Sequence, residues 1–143
     1  MNKKSSKVLL TSIMLILTLS MMALLTGCGG PSTLEEYIND NKSEQEEMEK
    51  LKDSLSQDGM DCNIDVKDNA MNFTVKLDQA INDDQLEQLK PMYDQLLDSF
   101  ESEAQKIIKE FEEDSKIEGV TINFTFLDKN EKEICTREYS AGK

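Results

Sequence analysis

Twice along this chain the spacing of apolar residues switches from a helical period to strict alternation, and that double switch limits the folds open to it. Met48, Leu51 and Leu55 recur at three and four residues, the spacing of one helix face. From Met60 the period drops to two. Met60, Cys62, Ile64 and Val66 alternate with Asp61, Asn63, Asp65 and Lys67. Asp68-Asn69 can make a tight turn, and Met71, Phe73, Val75 and Leu77 then alternate again. Successive strand side chains point to opposite faces, so this is a β-hairpin with one buried side. The cycle then repeats. Leu86, Leu89, Tyr93, Leu96, Leu97, Phe100, Ala104, Ile107, Ile108 and Phe111 form a helical stripe of about seven turns. Val120, Ile122, Phe124 and Phe126 alternate behind it, followed by Asp128-Lys129-Asn130 and a return through Lys132 to Tyr139.

The local signals set the boundaries. Ser32 and Glu35 have the spacing of a capping box, ahead of a short helical piece carrying Leu34, Tyr37 and Ile38. Asn39-Asp40-Asn41 interrupts that piece, and Ser43 with Glu46 repeats the capping spacing before a helix that ends ahead of Gly59. Asn82-Asp83-Asp84 reads as a helix start, with acids at the positive end of the dipole. Pro91 lies inside the long stripe; having no amide hydrogen, it predicts a kink or break near Lys90. In the second hairpin Asn130 is the residue suited to positive φ. Ile134 and Cys135 are adjacent and should face opposite sides, which with the charges nearby marks an edge strand. The fold class is therefore α+β in the order α-β-β-α-β-β. The expected assembly is a four-stranded antiparallel sheet with helices packed on one face and a polar, open face behind. Gly59 and Gly119, Ile64 and Phe124, and Val66 and Phe126 each stand sixty residues apart, consistent with a duplicated α-β-β unit.

Ahead of this domain, Lys3, Lys4 and Lys7 precede an apolar run from Val8 to Leu25 that leads to Leu25-Thr26-Gly27-Cys28. A charged start, an apolar middle and small residues before a cut site are the anatomy of a secretory signal. Leu25-Thr26-Gly27-Cys28 resembles the lipobox of bacterial lipoproteins. The resemblance implies cleavage between Gly27 and Cys28 and a diacylglyceryl group on the Cys28 sulfur. It also implies a protein held on the cell membrane by that lipid, facing away from the cytoplasm. One acyl chain binds a membrane marginally and two anchor it stably. Val8 to Leu25 is also about long enough to span a bilayer, but Thr11, Ser12, Thr18 and Ser20 dilute it. On this reading 1–27 is a removed signal peptide, 28–32 a lipidated tether and 33–143 a single acidic domain.

Charge narrows what that domain meets. All 29 acidic residues follow Cys28 and three of the 16 basic ones precede it, so the formal charge moves from −13 to −16 on processing. Such an excess disfavours nucleic acid and favours a cationic partner, a basic protein or a cell-wall component. The chain has no His and no Trp, which removes the commonest general base and metal ligand and the best aromatic platform. No catalytic constellation, metal set or cofactor motif stands out. Asp61 and Asp65, four apart on a strand, are about 13 Å apart, too far to share one cation unaided. After lipidation Cys62 and Cys135 remain. Outside the cytoplasm an even pair suggests a disulfide, and small core side chains are the alternative.

Ser-Thr-Leu-Glu-Glu-Tyr-Ile at Ser32 to Ile38 and the closing hairpin resemble the small uncharacterised lipoproteins of Gram-positive bacteria, grouped as domains of unknown function. That likeness implies no activity. The expectation is a non-enzymatic binding or interaction domain. The alternatives are an inhibitor or accessory protein acting by steric occlusion, and a carboxylate-dependent hydrolase.

Overall fold

Apolar side chains from four strands meet on one side of one sheet in the computed structural model, which describes residues 30–56 and 59–142. The chain runs α1 (Leu34–Asp40), α2 (Lys42–Leu55), β1 (Met60–Lys67), β2 (Ala70–Leu77), α3 (Asp83–Asp98), α4 (Glu101–Ser115), β3 (Thr121–Leu127) and β4 (Glu133–Ser140). This is the α+β class expected, with the helices packed against the sheet. Strand order is β1-β2-β3-β4. Residues paired across the sheet share a face, and the row Cys62, Val75, Phe126, Cys135 is buried throughout.

One pairing corrects the expected all-antiparallel sheet. β2 and β3 are parallel, with Phe73 opposite Phe124, while the two hairpins are antiparallel. The cause is the helical connection. Ser99 (φ −66°, ψ −14°) and Phe100 (φ −92°, ψ −17°) keep right-handed helical backbone between α3 and α4. The chain therefore does not reverse there. One continuous traverse carries it back to the end of the sheet where β2 began, and a strand started at that end runs parallel to β2.

Pro91 does not interrupt this traverse. It lies within α3 on the exposed side, where the carbonyl it deprives of a partner can be hydrated. The interruption comes instead at Ser99-Phe100, and tertiary contacts hold it. The Phe100 ring packs edge-on against Phe124 at 5.5 Å and tilted against Tyr139 at 5.9 Å. The Tyr139 hydroxyl donates to the Leu97 carbonyl at 2.8 Å, an acceptor at the end of α3.

The α-β-β units are not structural copies. Viewed from the helix side with β1 upward, β2 lies to one side. With β3 turned upward, β4 lies to the opposite side, because β3 runs antiparallel to β1 in the same sheet. The two halves have opposite hands and cannot be superposed, so the sixty-residue offset is a likeness of pattern.

Side chains tie the ends of the sheet. The first helix is capped one residue later than expected. Thr33 Oγ1 accepts from the Glu36 amide at 3.2 Å, and Ser32 donates through its amide and hydroxyl to Glu36 Oε2 at 2.9 and 2.8 Å. Glu35 is thereby free to hold the β1–β2 turn, accepting from the Asp68 amide at 2.8 Å. Ser43 does not cap α2; Asn41 precedes it without a side-chain cap. At α3 the capping box of Asn82 and Gln85 is complete.

At the opposite end Asp128 is 1% exposed, and its carboxylate accepts three backbone amides: Ile81 at 2.9 Å, Asn130 at 2.7 Å and Lys132 at 2.9 Å. This wraps the β3–β4 loop so that Glu131, rather than Asn130, takes the positive φ (65°). The returning strand enters out of step. Ile134 becomes the extra residue between the pairs Leu127–Glu133 and Phe126–Cys135, and both Ile134 and Cys135 are buried instead of facing opposite sides.

The amide of Ile81, followed by those of Lys132 and Asn130, holds the Asp128 carboxyl below the usual carboxylate range. A group depressed in the folded state contributes stability that is present above its unfolded pKa and lost as pH falls through the folded value. Asp128→Asn should lower Tm at neutral pH by about 5 °C or more. The difference from wild type should shrink on acidification from about pH 4.5 downward. Thermal melts read by circular dichroism across that range check both.

Candidate functional site

The side of the sheet away from the helices is uncovered. β1 shows Asp61, Asn63, Asp65 and Lys67 there, all exposed, and β4 shows Glu133, Thr136, Glu138 and Ser140, all exposed. The two central strands contribute Asn72, Thr74, Asn123 and Thr125, each half-buried by its neighbours. Strand alternation places them: their neighbours Phe73, Val75, Phe124 and Phe126 fill the core, so the residues between must face outward.

The centre of this face is a neutral hydrogen-bonding surface. Asn123 Nδ2 donates to Asn72 Oδ1 across the parallel seam at 2.9 Å, and Thr125 and Thr136 share a hydroxyl bond of 2.8 Å. Acids stand on both edges: Asp61 and Asp65 on one, Glu133 and Glu138 on the other. Lys76 is drawn to Glu131 at 3.1 Å. The result is an amide and hydroxyl strip between two rows of carboxylates, able to accept hydrogen bonds and to attract cations.

Cys62 and Cys135 are free thiols, both 0% exposed. They lie in one transverse row, but on the two outer strands, with Val75 and Phe126 between them. Three inter-strand steps put their backbones about 14 Å apart, against the roughly 7 Å that a bridge permits. Of the two alternatives the sequence leaves open, a disulfide or small core side chains, the structure has the second: two core thiols. Burial pushes each thiol up to about 11, which suppresses the reactive thiolate.

Three other residues stand apart from the sequence reading. Tyr139, near the C-terminal end of the sequence, is 3% exposed because its register opposite Ile122 turns it into the core. Glu44, in the acidic run from Glu44 to Glu49, is 7% exposed; burial, with Glu47 nearby, raises its pKa. Arg137, the one arginine of the chain, reaches from β4 to α3. Its guanidinium lies 2.6 Å from Asp98 and 4.0 Å from Asp94. Nothing in the local pattern marks Arg137 as an inter-element tie; its pairing follows from the register of β4. Among the described residues no three acidic or cysteine side chains converge as a metal site. Leu25, Thr26, Gly27 and Cys28 lie outside the described residues.

Buried, raised thiols make a direct prediction. In the mature chain carrying Cys28→Ser, a thiol reagent such as dithionitrobenzoate at about pH 8 should leave both cysteines unmodified in the native state and titrate two on unfolding in denaturant. Rapid native labelling, or a non-reduced mass two hydrogens short, would contradict the structure.

Comparison with known proteins adds a family. No curated protein and no solved structure matches this chain. Residues 34–139, from the first buried leucine of α1 to the buried tyrosine of β4, match a domain of unknown function, DUF4854. The match spans both hairpins and both helical segments, and the chain belongs to the DUF4854 family.

Proposed function

We propose that this protein is a lipid-anchored, extracytoplasmic binding domain without catalytic activity, which takes a cationic partner on the open face of its sheet. The observation that carries this reading is the uncovered strip of Asn72, Thr74, Asn123 and Thr125 between two acidic edges. A flat surface of fixed amide and hydroxyl groups offers many weak, directional contacts, and the flanking carboxylates supply long-range attraction. The partner is a basic protein segment or a basic component of the cell wall.

The anchor rests on Lys3, Lys4, Lys7 and the apolar run that ends in Leu25-Thr26-Gly27-Cys28. Diacyl modification of Cys28 after cleavage behind Gly27 would leave Gly29, Gly30, Pro31 and Ser32 as the spacer before α1. That short tether holds the domain close to the membrane, where −16 of formal charge keeps it off anionic headgroups.

The rival readings find less support. Occlusion by an inserted hairpin tip needs a free tip. The Asp68-Asn69 tip is instead bound to α1 and to the start of β3, through Leu34 to Asn69 at 2.9 Å and Asn69 to Glu118 at 2.8 Å. Hydrolysis by paired carboxylates needs two acids facing a cleft. Asp128 is saturated by backbone amides, and Glu46 and Glu49, the two acids that line the groove beside β1, stand there among Lys42, Lys50 and Lys52 in a setting open to solvent.

Two outcomes follow. Cys28→Ser should abolish lipid labelling, and any of the variant that is processed should leave the membrane fraction; a processed variant that still sediments with membranes would refute the anchor. The mature chain without lipid, immobilised and washed at rising salt, should retain a partner near 0.1 M and release it near 1 M, where screening shortens from about 10 to about 3 Å. Asn123→Lys, at the centre of the face, should lose that partner. Capture insensitive to both salt and Asn123→Lys would overturn the face as the binding surface.

A further inference from the structure

The two outer strands of the sheet are protected very differently. On β4 the extra residue Ile134 breaks the register, and Arg137 bridges to Asp98 and Asp94 of α3. Bulges and covering contacts of this kind are how proteins blunt an edge. β1 has neither. It pairs with β2 without a break from Met60–Leu77 to Lys67–Ala70.

The backbone groups that β1 leaves free can be identified. A two-residue turn closes on the Lys67–Ala70 pair, so that pair exchanges both hydrogen bonds. Alternation then turns Asp65, Asn63 and Asp61 toward β2, and Val66, Ile64 and Cys62 outward. Cys62 confirms the phase: its amide donates to Ser56 Oγ at 3.0 Å and its carbonyl accepts from that hydroxyl at 3.3 Å. Ser56 closes the edge at that point. The outward amides and carbonyls of Ile64 and Val66 have no partner among the described residues.

Each side of this free stretch has its own chemistry. On the helix side an open groove of about 700 Å³ runs between α2 and β1; Ile38, Met48 and Ile64 form its apolar part, and lysines, glutamates and Gln45 of α2 line the rest. On the open side stand the exposed carboxylates of Asp65 and, four residues away, Asp61. A second copy of this chain is a poor occupant. β1 against β1 would set these aspartates against their own kind on two chains of net charge −13, and like charges opposed across strands destabilise the pair.

We propose that the Ile64–Val66 edge binds an extended peptide as an added fifth strand, selecting a basic residue between two apolar ones. Main-chain bonds to Ile64 and Val66 supply affinity, and alternate side chains supply selection. The peptide residues opposite Ile64 and Val66 lie on the helix side, where Ile64, Ile38 and Met48 offer apolar contact. The residue between them lies opposite Asp65 and is basic. A second basic residue further along reaches Asp61. The inference shares with the proposed function only the sign of the partner's charge; the open face and the β1 edge are separate surfaces.

The test uses the mature chain, residues 28–143 with Cys28→Ser, whose core lies within Leu34–Tyr139, labelled with 15N. The probe is the peptide acetyl-Val-Lys-Val-Thr-Gly-Arg-amide, and its control is the same peptide with both valine amides N-methylated. The amides of Ile64 and Val66 should show the largest shifts on titration and exchange more slowly with solvent. The methylated peptide should bind about tenfold or more weakly, since its charge is kept while its donors are lost. Asp65→Asn, an exposed change that leaves the core intact, should weaken binding about threefold or more. Equal affinity for the methylated peptide, or no shift at Ile64 and Val66 at about 2 mM peptide, overturns the proposal. Shifts confined to Asn72, Thr74 and Asn123 overturn it while leaving the open-face reading standing. Strand addition at Ile64 and Val66 together with a salt-insensitive open face does the reverse.

Discussion

The parallel seam between β2 and β3 carries the structure. Each hairpin alone is a two-stranded ribbon, and such ribbons are marginal in water. Joined along the seam they make one apolar face, with Phe73 stacked on Phe124 at 4.6 Å in its middle. Phe100 and Tyr139 close on Phe124 from the helix and from β4. Polar ties pin both ends. The Thr121 amide donates to the Asn69 carbonyl at 2.9 Å at one end, and at the other the Lys129 amide donates to the Gln79 carbonyl at 3.0 Å while Asp128 takes the Ile81 amide. Polar groups at the ends therefore set the register in which the aromatic rings stack.

The same seam explains why one face of the sheet is left open. The helices leave β2, cross one side and return to β3, so they all lie on that side. Nothing in the described chain returns over the other. The exposed face is then bound to be polar, because an apolar surface of that extent would drive association. Its acids sit on the outer strands and its amides and hydroxyls on the inner ones, so the charged side chains keep full hydration at the rim. The central groups, half-buried by their neighbours, bond across the seam, as Asn123 Nδ2 does to Asn72 Oδ1, while Asn123 Oδ1 is left without a partner among the described residues.

Much of this was legible in the chain, for a simple reason: alternation and helical spacing are imposed by local geometry. The hairpin at 60–77, its Asp68-Asn69 turn, the capping at Asn82 and the polar outer face all follow from short-range pattern. The errors share a cause too. Pro91 looked like the place where the long helix would kink or break, yet the helix runs on through it with the proline on the exposed face. The true break at Ser99-Phe100 depends on Phe124 and Tyr139, which are distant in sequence. Cys135 and Ile134 could not both be placed in the core until Asp128 had wound the loop and set the bulge. Tyr139 could not be recognised as buried until that register was known.

The sequence by itself determined which residues of the first three strands and of the helical stripes face the core, where most elements begin and end, the acidic character of the domain, and the signal-like segment that precedes it. Those properties depend on side-chain chemistry and on neighbours a few positions away. The tertiary structure alone decided that β2 and β3 are parallel and that the two α-β-β halves have opposite hands. It also decided that Cys62 and Cys135 lie on opposite edges, and that β1 pairs without a break while β4 carries a bulge and the Arg137 bridge to α3. Each of these depends on which end of the sheet the chain returns to after its helices. That return is set by packing between residues far apart in sequence, where periodicity carries no information.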